Sequence, residues 1–254
     1  MLAVPFTPPP VNPAPNGLYG ATQWTPETGP TRWLDGGVQI RPAGNYGGET
    51  SFGVWNADWC ASLDDLTPDD RKAGLRPENP APFEAMTVWA ADECDLTEPS
   101  QTEVHQRAAQ VFRLEEQNAV ERQFAARLLT DSDNPGQADD IVDAVSQLED
   151  ALGRTNTQGF IHASTGWAAR AAQANLLIRS GTGLTTPLGH RWVFGGGYIA
   201  GLTSTLMATS QPFGWRSDVQ VRTATDERAN SFIAIAERSV VVGYERLVGA
   251  VEIG

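Results

Sequence analysis

The chain has 254 residues, 41% of them apolar and 19% charged, which is enough to bury a substantial core and too apolar for a disordered protein. Its formal net charge is −13, and 17 of its 18 basic residues are arginine, so a nucleic-acid reader with a concentrated basic stripe is excluded. Two cysteines without a C-x-x-C spacing and three histidines predict no metal site, and unpaired thiols fit a reducing compartment.

The first thirty residues contain eight prolines, which exclude a helix and favour extended, polyproline-like backbone. The same segment carries Phe6, Leu18, Tyr19 and Trp24, large apolar side chains that a mere linker would not need. We therefore predict an arm that lies on a protein surface. The N-terminus lacks the basic and apolar regions of a signal peptide, and no run of about 18 apolar residues occurs, so the chain is predicted to be soluble and not secreted.

A hairpin is predicted next, over residues 33–60. Val38 and Ile40 precede the turn-rich stretch RPAGNYGG, and Phe52 and Val54 follow it in an alternating pattern. An isolated two-stranded hairpin is marginally stable, so this one should rest on a neighbouring surface of the same chain or of another. Residues 61–82 are acidic and proline-rich and predict a loop.

A long helix is predicted from about residue 100 to 130, because no glycine or proline interrupts this stretch and Ser100 with Glu103 has the pattern of a capping box. Its apolar residues form two groups on nearly opposite faces, so the two halves of the helix should contact different neighbours. The first group is Val104, Ala108, Val111 and Phe112, and the second is Val120, Phe124 and Leu128.

The remainder of the chain predicts mixed α and β structure. An acidic amphipathic helix over residues 138–152 is followed by the strand GFIHAS, the helix TGWAARAAQAN and a turn that leads into the strand RWVF. Alternating apolar residues from Ser231 to Ile253 predict the closing strands.

The stretch VFGGGYIAG, in which Gly195, Gly197 and Ala200 match a loose G-x-G-x-x-A pattern, raises the alternative of an NAD-dependent oxidoreductase. A dinucleotide elbow needs a helix after the glycines, whereas GLTSTLMATSQPFGW is a poor helix start. We therefore favour a glycine loop that lets two backbone segments approach each other.

Other catalytic patterns are equally weak. His162 and Ser164 could be a base and a nucleophile, but no third member is apparent, and a hydrogen-bonded structural histidine is favoured. The adjacent Glu115 and Glu116 diverge on a helix and are expected to be solvated or to pair with arginine. No catalytic, cofactor-binding or metal-binding residue is assigned, and the chain is not predicted to be an enzyme.

The order of these elements resembles that of the tailed-bacteriophage major capsid proteins, the Hong Kong 97 family that also includes encapsulin shells. Four stretches of the chain are similar to stretches of that family, namely ADDIVDAVSQLEDAL, GFIHASTGWAARAAQ, LTTPLGHRWVFGGGY and ERSVVVGYERLVGAVEI. FEAMTVWAADEC before RAAQVFRLEEQNAVE is most similar to capsid proteins of phages with actinobacterial hosts.

The resemblance implies an α+β capsid fold in five parts. They are an N-terminal arm (1–32), an extended hairpin or E-loop (33–60), a peripheral domain with the spine helix (61–137), a mainly axial domain (138–225) and C-terminal strands shared by both domains (226–254). Relatives that cross-link their shells use a lysine in the E-loop, whereas the only lysine here, Lys72, lies beyond the predicted hairpin.

The resemblance also implies that copies of the chain assemble into hexamers and pentamers of a shell that encloses double-stranded DNA without reading its sequence. The expected location is the virion, assembled in the host cytoplasm, with portal, scaffolding or decoration proteins as further partners and no membrane. An encapsulin-type nanocompartment and a minor head protein remain the alternatives. The residues expected to contact neighbouring copies are Phe6, Trp24, Arg32, Trp33, Arg41, Phe52, Trp55 and Arg71.

Overall fold

The computed structural model describes residues 3, 6–27, 29–44, 51–70 and 72–254. Its helices are α1 (Leu18–Ala21), α2 (Trp33–Gly36), α3 (Glu98–Asp131), α4 (Ile141–Thr155) and α5 (Trp167–Gln173). Its strands are β1 (Gln23–Trp24), β2 (Met86–Asp95), β3 (Gly136–Ala138), β4 (Phe160–Ser164), β5 (Ile178–Ser180), β6 (Gly183–Thr185), β7 (Arg191–Gly195), β8 (Thr205–Thr209), β9 (Pro212–Arg216), β10 (Gln220–Asp226), β11 (Ser231–Tyr244) and β12 (Leu247–Ile253). Short 3-10 turns occur at Leu63–Asp65, Pro68–Asp70 and Gly197–Ile199.

The predicted spine helix is confirmed as α3, whose 34 residues span about 51 Å at 1.5 Å per residue. The predicted capping box is wrong: the helix begins one turn earlier with Thr97 as its N-cap, and Ser100 already lies inside it. Every fourth residue from Val104 to Leu128 is buried. Because a helix has 3.6 residues per turn, this stripe rotates by about 40° at each step, and the two ends of α3 face different neighbours as predicted. Val111 lies outside the stripe and is 41% exposed.

One hydrophobic core lies between α3 and a five-stranded sheet. The long strand β11 is central: β2 pairs with one edge of it, β10 and β9 pair with successive parts of the other edge, and β1 adds to β9 in parallel. Ala234 and Ala236 of β11 and Val88 and Ala90 of β2 are buried on the same face. That face packs against α3 because its small side chains allow a close approach of helix and sheet.

A second core lies between α4, α5 and a seven-stranded sheet of order β3-β12-β8-β4-β7-β6-β5. Helix α4 begins at Asp140, whose carboxylate accepts hydrogen bonds from the N–H groups of Val142 and Asp143. Its apolar stripe, which includes Leu148 and Leu152, is fully buried. The two predicted helices and the predicted strands β4, β7 and β12 are confirmed in this part of the fold, and the predicted strand β11 is confirmed in the five-stranded sheet.

The predicted hairpin over residues 33–60 is wrong for the described part of that segment. Residues 33–36 form α2 instead, Val38 makes a single bridge to Phe83, and residues 51–60 contain no strand. The physical reason is that paired strands need a surface to rest on, and the side chains of Phe52 and Val54 find none in this chain.

Candidate assembly surfaces

The root of the arm, residues 16–25, is attached to the body of its own chain. The N–H of Leu18 donates to Oε1 of Glu121 at 2.8 Å, and the Leu18 side chain is fully buried. The N–H of Thr25 donates to the carbonyl of Gly214 at 2.9 Å beside the β1–β9 pairing. The root therefore belongs to the folded body of the subunit.

Glu121 joins the arm root, the spine helix and the glycine loop. Its second carboxylate oxygen accepts the N–H of Gly197 at 2.8 Å. Burial raises the pKa of Glu121 above its ordinary value because a desolvated carboxylate loses its hydration, while the two backbone N–H donors act in the opposite direction. This buried group holds three separate segments of the chain together.

The glycine loop after β7 packs directly on α3. A Cβ atom placed on Gly197 would lie 2.2 Å from the carbonyl oxygen of Asn118, and one on Gly195 would lie 2.7 Å from the Glu121 carboxyl carbon. The prediction that these glycines allow two backbone segments to approach is confirmed. The Gly197 N–H faces a carboxylate and only a short 3-10 turn follows, so this loop is not a phosphate-binding elbow.

A second buried carboxylate fixes Tyr19 of the arm root. Arg238 binds Glu116 in a bidentate pair with both contacts at 2.6 Å, and the Tyr19 hydroxyl donates to the same carboxylate at 2.6 Å. Burial, with the nearby Glu116 charge, raises the pKa of Tyr19 far above its ordinary value, so it remains a donor. The prediction that this carboxylate pairs with arginine is confirmed, whereas Glu115 accepts a hydrogen bond from Asn118.

His162 is a structural histidine, as predicted. It is fully buried, and its two ring nitrogens hydrogen-bond the Tyr198 hydroxyl at 3.0 Å and the Thr209 hydroxyl at 2.8 Å. Burial lowers the pKa of His162 to about 3, so the ring is neutral at physiological pH. With both nitrogens occupied inside the core, the ring is not placed to act as a catalytic base for Ser164.

The tip of the arm contrasts with its root. Residues 6–16 are exposed, and Phe6 is 83% exposed. The segment is held along α3 by the Val11 carbonyl, which accepts from Gln110 at 3.0 Å, and by a hydrogen bond between Asn12 and Arg113. The arm thus follows the spine helix while presenting its apolar side chains outward.

Residues 51–75, called the exposed loop below, present a set of large apolar side chains to solvent. Trp59 is 99% exposed, and Lys72 Nζ lies 4.7 Å from the centre of the Trp55 ring. A folded chain that is complete alone does not usually leave so many large apolar groups on one segment. They are Phe52, Val54, Trp55, Trp59, Leu63 and Leu75.

The structure divides the eight predicted contact residues by their exposure. Five of them are exposed, namely Phe6, Arg32, Arg41, Phe52 and Trp55.

Trp33 is only 4% exposed, and Trp24 packs edge-on against Tyr19 and under Arg216, so both side chains are largely covered by their own chain. Arg71 lies outside the described residues. Contact with a neighbouring copy stays a prediction for each of the eight. Trp59 and Leu63 were not among the predicted contact residues, although large apolar residues in or next to an acidic, proline-rich loop are a usable signal.

Within residues 3, 6–27, 29–44, 51–70 and 72–254, no group of three or more His, Cys, Asp or Glu side chains is placed to hold a metal ion. Among the same described residues, no helix is both long and apolar enough to cross a membrane. Cys60 and Cys94 are exposed free thiols.

No protein-family model and no curated protein sequence matches the chain. Its structure is similar to that of the capsid of a native GTA particle, with a TM-score of 0.57 and 10% identity over 99% of this chain and 95% of that one. It is also similar to Microbacterium phage Oxtober96, with a TM-score of 0.54 and 10% identity over 100% of this chain and 95% of that one. For the mature capsid of bacteriophage PhiM1 the TM-score is 0.50, with 10% identity over 100% and 91% of the two chains. The chain therefore has the Hong Kong 97 capsid fold, with α3 as its spine helix.

Proposed function

We propose that this chain is the major capsid protein of a tailed bacteriophage, which assembles into hexamers and pentamers of an icosahedral shell around double-stranded DNA. The observation that carries the proposal is the fold likeness to capsid chains along essentially the whole length of both partners.

The exposed arm tip and exposed loop support this function. Burying a large apolar side chain contributes about 1.5–3 kcal/mol, and this gain is missing for the isolated subunit at Phe6, Phe52 and Trp59. Neighbouring copies would cover these groups and so make assembly favourable. The arm extends from a root that is hydrogen-bonded to α3.

The division into an arm, E-loop, peripheral domain, axial domain and C-terminal strands belongs to the same proposal. It is supported by the two sheets and by two hydrophobic clusters, one around α3, which also takes in Val193 and Met207 of the seven-stranded sheet, and one around α4 and α5. Strands β11 and β12 each join a different core, which agrees with closing strands shared by both domains.

Copies of the same chain are the first partners in this proposal, and portal, scaffolding or decoration proteins are further ones. The net charge of −13 would keep packaged DNA from adhering to the inner wall through electrostatic repulsion. The proposed location is the virion.

The decisive experiment is negative-stain imaging and sedimentation of the purified full-length protein over a range of concentrations. Closed particles of uniform diameter are expected. A monodisperse monomer under every concentration and salt condition would refute the proposal.

The charge-reversed variant Arg41→Glu tests the predicted contact of that side chain with a neighbouring copy. We expect a lower particle yield at low salt and partial recovery at high salt. An unchanged yield at both would show that this arginine is dispensable.

A further inference from the structure

The five-stranded sheet has a second, open face. Residues that lie directly opposite each other in an antiparallel pair point to the same side, and the register pairs Trp89 with Glu237 and Ala91 with Ile235. These side chains point away from α3, because the alternate residues Val88 and Ala90 are the ones buried against it. Trp89 is 66% exposed and lies midway along the edge strand β2.

The open face is apolar at its centre and charged at its border. We call it the Trp89 face and define it by Trp89, Ala91, Ile233 and Ile235. On the same face, Glu93 and Glu237 lie beside these residues on β2 and β11, and Arg222 of β10 pairs with Glu237 at 3.2 Å. An antiparallel sheet normally carries polar residues on a face that stays in water, so an exposed tryptophan and two isoleucines indicate a covering partner.

We propose that the Trp89 face binds the outermost part of the arm tip, residues 6–10, of a second copy of this chain. The inference rests on the proposed function, because it requires copies that assemble side by side. It adds the surface that receives the arm and the chemistry by which it is recognised.

The chemistry of the arm fits this surface. The tip reads FTPPP, and no charged side chain precedes Glu27, so the arm can cross the acidic border of the face without repulsion. Proline-rich segments hold an extended conformation before binding, lose little entropy and dock on exposed aromatic rings. The exposed loop is a worse occupant, because its five aspartates between residues 58 and 70 would approach Glu93 and Glu237.

The described part of the arm runs along its own spine helix. Leu18 contacts Glu121, Asn12 contacts Arg113 and the Val11 carbonyl contacts Gln110, so the arm runs toward the N-terminus of α3. Five further residues at about 3.1 Å each would advance the chain by about 15 Å toward the beginning of that helix.

The Trp89 face lies on the other side of the sheet from the spine helix that carries the arm. The exposed tip of the arm is therefore expected to find its partner surface on a neighbour.

The test uses two full-length proteins that each carry one engineered cysteine in a Cys60→Ser, Cys94→Ser background. One carries Thr7→Cys in the arm, and the other carries Ala91→Cys beside Trp89, so both Phe6 and Trp89 stay in place. The proteins are mixed under assembly conditions with a mild oxidant, and linked dimers are quantified on non-reducing gels and mapped by mass spectrometry. In the matched control, the second protein keeps native Cys60, which is exposed beside Trp59, and lacks Ala91→Cys.

We expect the link between positions 7 and 91 to be about tenfold more abundant than the link between 7 and 60, because proximity raises the effective concentration of the two thiols. Adding Trp89→Thr to the Ala91→Cys protein should lower the link several-fold. Equal yields at 91 and 60, or a yield that Trp89→Thr does not change, would overturn the inference. Particles that form without the 7–91 link refute this arm contact alone, whereas a wild-type chain that never forms particles refutes the proposed function.

Discussion

Replacing Gly197 by alanine should destabilise the subunit through a clash with the backbone of the spine helix. The new Cβ would lie 2.2 Å from the Asn118 carbonyl oxygen and 2.5 Å from the Glu121 Cβ, both far inside van der Waals contact. Relieving this overlap moves the loop away from α3 at a cost of about 1–3 kcal/mol. The same movement weakens the 2.8 Å hydrogen bond to Glu121 and leaves a buried carboxylate short of a donor, which adds about 1–3 kcal/mol.

The total of about 2–6 kcal/mol corresponds to a decrease in the thermal midpoint of roughly 4–24 °C, at about 2–4 °C per kcal/mol for a chain of this size. The assay is thermal unfolding followed by circular dichroism at a concentration below that of assembly. Gly153→Ala is the matched control, since that glycine lies in α4 with open space around its Cα, and alanine there should stabilise by about 0.5–1 kcal/mol. A Gly197→Ala protein that melts within about 1 °C of wild type would refute the close-approach reasoning.

Three further outcomes are expected. Burial lowers the pKa of His162 to about 3 in the folded chain, so below about pH 6.5 the unfolded chain binds a proton that the folded chain does not. The free energy of unfolding should therefore fall by about 2 kcal/mol on acidification to about pH 5. In urea titrations His162→Gln should lack this contribution, and a pH profile identical to that of wild type would contradict the reasoning. Arg238→Ala leaves the Glu116 carboxylate buried without its positively charged partner and should lower the free energy of unfolding in denaturant by about 3–5 kcal/mol. A decrease of less than about 1 kcal/mol would show that solvent reaches the carboxylate. Trp59→Ser should leave monomer stability within about 0.5 kcal/mol of wild type while lowering particle yield in sedimentation; unchanged yield would remove Trp59 from the assembly surface.

Local sequence patterns were sufficient for much of the architecture. The spine helix follows from an uninterrupted run without glycine or proline, and α4 follows from a single apolar stripe that ends near Gly153. Strand β11 was predictable because half of its residues are β-branched or aromatic, and β4 because Phe160 and Ile161 begin a short apolar run after a glycine. The clearest failures were β2 and β8. The end of β2 is acidic and its exposed positions include the apolar Trp89 and Ala91, while β8 is buried on both faces, so neither strand alternates between apolar and polar residue types.

Among the residues predicted to contact neighbouring copies, the sequence indicated the exposure of some and not of others. Phe6 and Phe52 lie in proline- and glycine-rich stretches, and composition correctly indicated that such segments have little of their own core to join. Trp33 was equally prominent in the sequence, yet a short helix turns it into the core. Side-chain direction after a turn depends on backbone geometry that residue identity alone does not specify.

The sequence by itself determined the acidic charge, the proline-rich arm, the spine helix and the resemblance to a shell-forming family, since each depends on composition or on spacing along a short stretch. Only the tertiary structure decided that Glu121 joins the arm, 103 residues before it, to the glycine loop, 76 residues after it. The same holds for the pairing of Glu116 with Arg238 and for the direction of Trp89, which faces away from the spine helix. Burial and pairing over such separations are properties of the packed chain as a whole, because a buried charge is stable only where distant segments supply its hydrogen bonds.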